Sequence, residues 1–308
     1  MAGKGTRVAQ RSGMLKKYDI VIFGNYTKDT IVSSSGTRYV DGGGFNYGAH
    51  AAAASGLNVA AVTRLAAEDS RVVDKLRKIG VDVYPSQTES STHMRLEYPT
   101  ENPDERILTC TATAGAYTTD QFEGLEAKAF LINASIREEV PAEIVSFLRA
   151  KAAWLVADAQ GFIRIRDKQQ RLVHAPWPEQ EKILALLDVL KADAVEAASL
   201  TGSRDIKIAA QQLAAAGPKE VVITHRDGIL VHADARFYEA VFKPDKLVGR
   251  SGRGDTCIAS YMAKRLDAPV EEAIVWSAAT TSLKMEAEGP LNAGKKQIEV
   301  YIKKKYSN

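Results

Sequence analysis

Short runs of consecutive apolar residues alternate along this chain with longer stretches in which apolar positions recur every three to four residues. Tyr18-Asp-Ile-Val-Ile-Phe23, Ala127-Lys-Ala-Phe-Leu-Ile132, Ala153-Trp-Leu-Val-Ala157 and Glu220-Val-Val-Ile-Thr224 are of the first kind. Each has the length of a strand covered on both faces. Residues 45–55, 69–79, 142–151, 179–190 and 206–216 carry the helical period, and Gly56, Gly80 and Gly217 close three of them, as glycines commonly do. Strands alternating with helices of this size predict an α/β fold: a mainly parallel central sheet with helices on both faces.

Two stretches break the rhythm. Residues 30–41 and 92–111 alternate polar with apolar positions, the second around a Pro-Thr-Glu-Asn-Pro-Asp turn, and this is the pattern of strands with one wet face. They predict a small β lid projecting from the main sheet. Residues 18–308 contain no Pro-, Gly- or Ser-rich linker and no repeat, so they are expected to form one α/β domain. A lid of this kind also offers strand edges through which a homodimer would form.

The composition narrows the class. Of 308 residues, 45% are hydrophobic and 26% charged, with a formal charge of +3, which excludes disorder. No apolar run is long enough for a transmembrane helix. Two cysteines, Cys110 and Cys257, make no disulfide framework and suit a reducing cytoplasm. The positive balance is local: Lys4, Arg7, Arg11, Lys16 and Lys17 precede the first acid, and removing these five from the 41 basic side chains leaves 36 against 38 acidic ones. Such a body is no nucleic-acid binder. Residues 1–17 read as a disordered basic leader, with Met14 a candidate natural start.

The strongest chemical signal is Val248-Gly-Arg-Ser-Gly-Arg-Gly-Asp-Thr-Cys-Ile-Ala-Ser-Tyr261. Gly252 and Gly254 let successive backbone N–H groups converge where a helix opens, and the free N–H groups and dipole of that helix extend the concavity into an anion hole. Asp255, in the first turn, is placed to accept a hydroxyl proton beside a bound phosphate. A structural alternative makes Asp255 a simple helix-start acid.

The second signal, Asp41-Gly-Gly-Gly-Phe-Asn-Tyr-Gly-Ala-His-Ala-Ala-Ala-Ala-Ser-Gly56, leads a glycine turn into a small-residue helix. There a polyhydroxylated ligand can approach the backbone and meet Asn46. Gly42-x-Gly44 lacks the dinucleotide spacing. Gly289-Pro-Leu-Asn-Ala-Gly-Lys-Lys296 lacks the Ser/Thr and the room of a phosphate-binding P-loop. The histidines show no metal-ligand spacing.

In this order the motifs resemble the PfkB, or ribokinase-like, carbohydrate kinases from about Tyr18 to Lys305. Gly42-Gly43-x-x-Asn46 with Gly56 is similar to the family's N-terminal signature, and Ser251-Gly-Arg-Gly-Asp255 to its C-terminal one. The resemblance implies a ribokinase-like fold with Asp255 as base and Gly252, Arg253 and Gly254 as the anion hole. It further implies that Asp29, Gly42, Gly43 and Asn46 bind the sugar, and that Asp158, Gln160 and Arg164 lie on a strand-end segment turned toward substrate. Thr224, Gly228, Ser277 and Asp193 would flank the nucleotide, Glu196 would organise Mg2+, and the lid would close over the sugar.

The implied reaction is transfer of the γ-phosphoryl group of ATP to a hydroxyl of a small sugar or polyol. The segments around 158–164 and 191–197 resemble the inositol-kinase branch, which puts myo-inositol ahead of ribose, fructose, a nucleoside or a keto-deoxy sugar acid. Asp193 stands where the family has Asn, Arg253 where it has Ala, and Gly249-Arg250 where it has Asp-Thr. These departures motivate an alternative: a sugar- or nucleotide-binding regulatory protein without turnover. A nicotinamide oxidoreductase is excluded, because no glycine-rich turn follows the first strand.

Overall fold

The computed structural model describes residues 16–34, 36–100 and 107–307. Its centre is a nine-stranded sheet in the order Arg236–Val241, Gly228–Ala233, Glu220–Thr224, Val189–Asp193, Trp154–Asp158, Leu125–Ile132, Lys16–Phe23, Val59–Ala66 and Asp82–Thr88. From Glu220–Thr224 to Asp82–Thr88 every pairing is parallel. Strands Gly228–Ala233 and Arg236–Val241 add a meander at the other edge by antiparallel pairing.

The first strand shows why its apolar run is continuous. Successive side chains point to opposite faces, so Ile20 and Ile22 enter one core while Val21 and Phe23 enter the other. Helices Gly44–Ala54, Arg253–Arg265 and Val270–Met285 cover the first face, and Ala142–Arg149 and Ile206–Ala215 the second.

Four strands make the lid, in the order Gly36–Gly42, Thr27–Ser33, Thr92–Glu97 and Ile107–Ala112. Their inner face gathers Ile31, Met94, Leu96 and Cys110 against Ile136, while the outer strand leaves Tyr39 75% exposed. A short hairpin, Arg164–Arg166 with Leu172–His174, leans on the lid through the Cys110 N–H, which donates to the Gln170 carbonyl at 2.9 Å.

Several expected boundaries move. Lys16 and Lys17 pair with Leu125 and Glu126 as part of the first strand, so the expected leader ends no later than residue 15; residues 1–15 lie outside the described set. The lid begins at Thr27 rather than residue 30, and residues 101–106 of its expected turn also lie outside the described set. The helix expected over 179–190 spans only Gln180–Leu184, and Val189–Asp193 is a central strand. The cause is Asp188. Its backbone N–H donates to the Leu155 carbonyl, its carboxylate accepts from the Leu155 N–H, both at 2.8 Å, and it pairs with Arg149 and Lys219. This pins the chain alongside strand Trp154–Asp158 before the helical period runs out.

Candidate active site

The carboxyl ends of the parallel strands and the underside of the lid enclose a cleft of about 450 Å³, the place where open α/β sheets bind ligands. Helix Arg253–Arg265 points its first turn into it. Gly252 precedes that helix with φ of 75°, and a Cβ there would lie 2.1 Å from the Tyr47 ring. Only glycine satisfies both the left-handed backbone and the close approach. No side chain caps the helix; the Arg253 N–H donates to the Arg250 carbonyl at 3.2 Å, and the flanking N–H groups of Gly252 and Gly254 face the cleft those residues line. A Cβ on Gly254 would lie 2.8 Å from the Lys191 ammonium, which places a buried cation beside those N–H groups.

Asp255 and Asp29 both line this cleft. Burial raises the Asp255 carboxyl above its ordinary range, while Lys191 and Arg164 pull it back. Burial also lifts Asp29 to about 7, opposed by a Thr27 hydrogen bond and reinforced by the charge of Asp255. The Asp29 Oδ1 is buried without a partner, so the site holds an acceptor awaiting a donor. Gly42 allows this: a Cβ there would lie 2.3 Å from the Asp29 Oδ2. Asn46 is buried beneath the floor, its Nδ2 donating to the Asp41 carbonyl at 3.0 Å while Oδ1 has no partner. Gly43 lines the cleft with φ of 95°.

The opposite wall is a buried charge network. Lys191, on strand Val189–Asp193, lies 2.9 Å from Asp158 and 3.7 Å from Glu196, and Arg164 lies 3.7 Å from the other Glu196 oxygen. Burial disfavours the Lys191 charge, but the carboxylates of Asp158, Glu196 and Asp193 outweigh it and keep the ammonium protonated. Asp193 caps helix Ala194–Thr201 by accepting from the N–H groups of Val195 and Glu196 at 2.9 and 2.7 Å. The Glu196 carboxylate returns the bond, accepting the Asp193 N–H at 2.8 Å. This is a reciprocal capping box, which an Asn at 193 would make as well, so it does not explain the departure at that position. Gly249 has a structural reason: a Cβ there would lie 2.4 Å from the Ala287 carbonyl oxygen. Arg253 lies over the Phe242 ring, 5.9 Å from its centroid.

The structure brings most expected residues together, but not all. Asp29, Gly43, Gln160, Arg164, Asp193, Glu196, Thr224 and Gly252, Arg253, Gly254 and Asp255 line the cleft; Gly42, Asn46 and Asp158 stand directly behind it. Gly228 and Ser277 do not line it. Gly228 opens a strand with its α-carbon against the Ala240 carbonyl, and Ser277 donates to the Cys257 carbonyl at 2.7 Å between two helices. Both belong to packing rather than to the cleft wall. Lys191, Tyr47 and the apolar roof of Met94, Leu96 and Leu108 were not singled out from the sequence. A lysine inside the apolar run Val189-Leu-Lys-Ala was the available signal, since a buried charge demands partners.

The chain belongs to the pfkB family of carbohydrate kinases, whose profile matches residues 17–296. It is similar to a pyrophosphate-dependent kinase of the ribokinase family solved with a pyrophosphate analogue and myo-inositol: 32% identity, TM-score 0.84, covering 91% of this chain and 99% of that one. It is also similar to a pyrophosphate-dependent myo-inositol-1 kinase converted into a myo-inositol-3 kinase by two substitutions to leucine, at 32% identity and TM-score 0.84, covering 94% and 100%. The cytidine kinase of Thermococcus kodakarensis is 26% identical over 259 residues, covering 80% of this chain and 87% of its own. The protein is thus a phosphotransferase-family α/β protein of ribokinase-like fold, a sugar or polyol kinase by family. Among the described residues no helix is long and apolar enough to cross a membrane.

Proposed function

We propose that this protein phosphorylates a hydroxyl of a cyclic polyol of the myo-inositol class. One observation carries the reading: Asp29, with an unpartnered buried oxygen, faces the same cleft as Asp255 and the uncapped helix start. Asp29 and the floor at Gly43, backed by the buried Asn46, hold the acceptor hydroxyls, and Asp255 receives the proton of the one that reacts. The backbone N–H groups of Gly252 and Gly254, with Lys191 alongside, stabilise charge on the transferring phosphoryl oxygens. Alignment and charge neutralisation supply most of the rate, and the lid keeps water out.

The acceptor meets a polar floor and an apolar roof. Leu96 and Leu108 are directly opposed across two lid strands and line the cleft with Met94. This roof orients the ring and selects the hydroxyl presented to Asp255, in keeping with the neighbour whose regiochemistry changed on gaining two leucines.

The donor presents a pyrophosphoryl end, as ATP and free pyrophosphate both do. Beside the main cleft lies a second of about 220 Å³, lined by Arg226, Arg250 and Arg253 together with Phe242, Leu247 and Met285. Three guanidinium groups against the single carboxylate of Asp227 in so small a space favour the free anion, and the neighbour solved with a pyrophosphate analogue supports it. The apolar wall supports ATP as a second reading.

Asp193 and Glu196 are the carboxylates that would hold a magnesium ion carried by the donor, although Asp193 already accepts two backbone N–H groups and Glu196 one; the ion would supply neutralisation of phosphate charge.

Incubation with myo-inositol and either donor, following phosphorylated polyol, tests the reading. Pyrophosphate is expected to support the faster turnover, and Asp255→Asn to lower it by about 1000-fold with donor binding retained. Near-full turnover by Asp255→Asn would refute the mechanism, and turnover with ATP alone would establish the second donor.

A further inference from the structure

Lys284 sits in the last turn of helix Val270–Met285, 2% exposed, and makes none of the contacts assigned above to acceptor or donor. Its ammonium donates to the Gly249 carbonyl at 3.1 Å and lies over the Tyr47 ring, 5.4 Å from the centroid. Both partners are structural parts of the anion hole. Gly249 starts the loop that leads to Gly252, and Tyr47 is the ring against which Gly252 is packed. The same helix end already holds that loop by backbone bonds, the Val248 and Gly249 N–H groups donating to the Met285 carbonyl at 2.9 and 3.1 Å. An apolar side chain would therefore close the loop at less cost than a buried ammonium. What the ammonium adds is charge, which acts on Asp255 together with Lys191 and Arg164.

The charged and titratable groups facing Lys284 come from every element around it. Asp255 belongs to the helix beside it, and Glu288, from the loop that follows, is itself 3.2 Å from Arg38 of the lid's outer strand. Tyr47, from helix Gly44–Ala54, is kept protonated by burial. Burial brings the Lys284 ammonium down to about 8, with Glu288 and Asp255 resisting.

We propose that Lys284 is a positioning residue for phosphoryl transfer: its ammonium holds the Gly249 carbonyl and supplies a fixed positive field behind residues 251–255, so the anion hole is complete only while Lys284 is charged. The inference deepens the kinase reading and rests on it. Because the group carries its proton below about 8 and loses it above, the field is switched off on the alkaline side.

Turnover measured from pH 6 to pH 10 for the unmodified protein, Lys284→Met and Lys284→Arg tests it, with calorimetric titration of inorganic pyrophosphate as a readout independent of turnover. Lys284→Met is expected to lose about 30-fold or more in kcat with acceptor KM changed less than about twofold, the signature of lost transition-state stabilisation. It should also bind pyrophosphate about tenfold more weakly at pH 7, a difference that closes once the native lysine is neutral at high pH. In the unmodified protein kcat should fall with a midpoint near about 8, and Lys284→Arg should keep its rate beyond that limb because guanidinium stays charged. Wild-type kcat in Lys284→Met, or an alkaline limb unmoved in Lys284→Arg, overturns the proposal. Should Lys284→Met fail to fold, the unmodified protein and Lys284→Arg decide alone. If the unmodified protein turns over no polyol, the kinase reading fails, and the pyrophosphate titrations still decide for or against Lys284.

Discussion

Asp29 and Asp255 are two carboxylates in one cleft; burial is the leading cause that raises each, and the charge of Asp255 raises Asp29 further. Asp29 is the more informative, because it titrates near about 7 with one buried oxygen unpartnered. Below that pH it is protonated and cannot offer both oxygens to acceptor hydroxyls; above it the ionised group accepts charge-assisted bonds. kcat/KM for the polyol should therefore rise as pH passes upward through about 7. Asp29→Asn should remove that limb and raise acceptor KM by about 30- to 100-fold, the worth of a hydrogen bond to a charged group. A pH profile of kcat/KM for the two proteins checks this, and an unchanged limb in Asp29→Asn would assign the titration elsewhere.

At the scale of the element, the lid decides what the cleft can hold. Strand Thr27–Ser33 carries Asp29 on the polar side of the site, while Thr92–Glu97 and Ile107–Ala112 deliver Leu96 and Leu108 as an opposed pair above it. The register shifts between His93 and Met94, and such an irregularity re-aims side chains at a site. The roof therefore offers contact without hydrogen bonds, and a ring is oriented by what the floor offers. The double replacement Leu96→Asn with Leu108→Ser gives the roof donors and acceptors. It should change the position of the phosphate on the product, read by chiral analysis of the inositol phosphate, while altering kcat less than about tenfold. A product unchanged in position would remove the roof from the control of regiochemistry.

At the scale of the whole molecule, buried carboxyls set how folding stability responds to pH. Asp29 and Glu139 both sit near about 7, and burial is the leading cause in each. Glu139 stands below the cleft and accepts from the N–H groups of Asn25 and Ser135 at 3.4 and 3.1 Å. A carboxyl raised in the folded state keeps its proton there while the unfolded chain has released it. Folding stability therefore declines as pH rises from the ordinary carboxylate range of 3.8 to 4.5 up to about 7, and is level above. Asp41 works the other way: Arg71 and Lys75 hold it at about 2, and its stabilisation is lost only as pH falls from 3.8 toward that value. Thermal unfolding should show a higher Tm near pH 5 than near pH 8, and Asp29→Asn should narrow the gap by roughly 3–6 °C. A Tm that climbs from pH 5 to pH 8 would show that these groups do not govern the balance.

The sequence by itself determined the alternation of buried strand and helix, because a strand covered on both faces must be apolar throughout, as Ile20 to Phe23 are. It also determined that a helix opens at residues 252–255 behind a glycine, since a glycine there is free to take the left-handed backbone that starts it. Tertiary structure decided what local pattern cannot carry. Only the packed fold shows that Asp188 ends a helical period early by bonding Leu155, and that Gly249 is glycine because the Ala287 carbonyl lies against it. The fold also spends Ser277 on a helix contact and makes Lys191 and Lys284 buried cations whose charges both act on Asp255. Those facts depend on residues far apart in the chain meeting at short range, and neither period nor spacing encodes which ones meet.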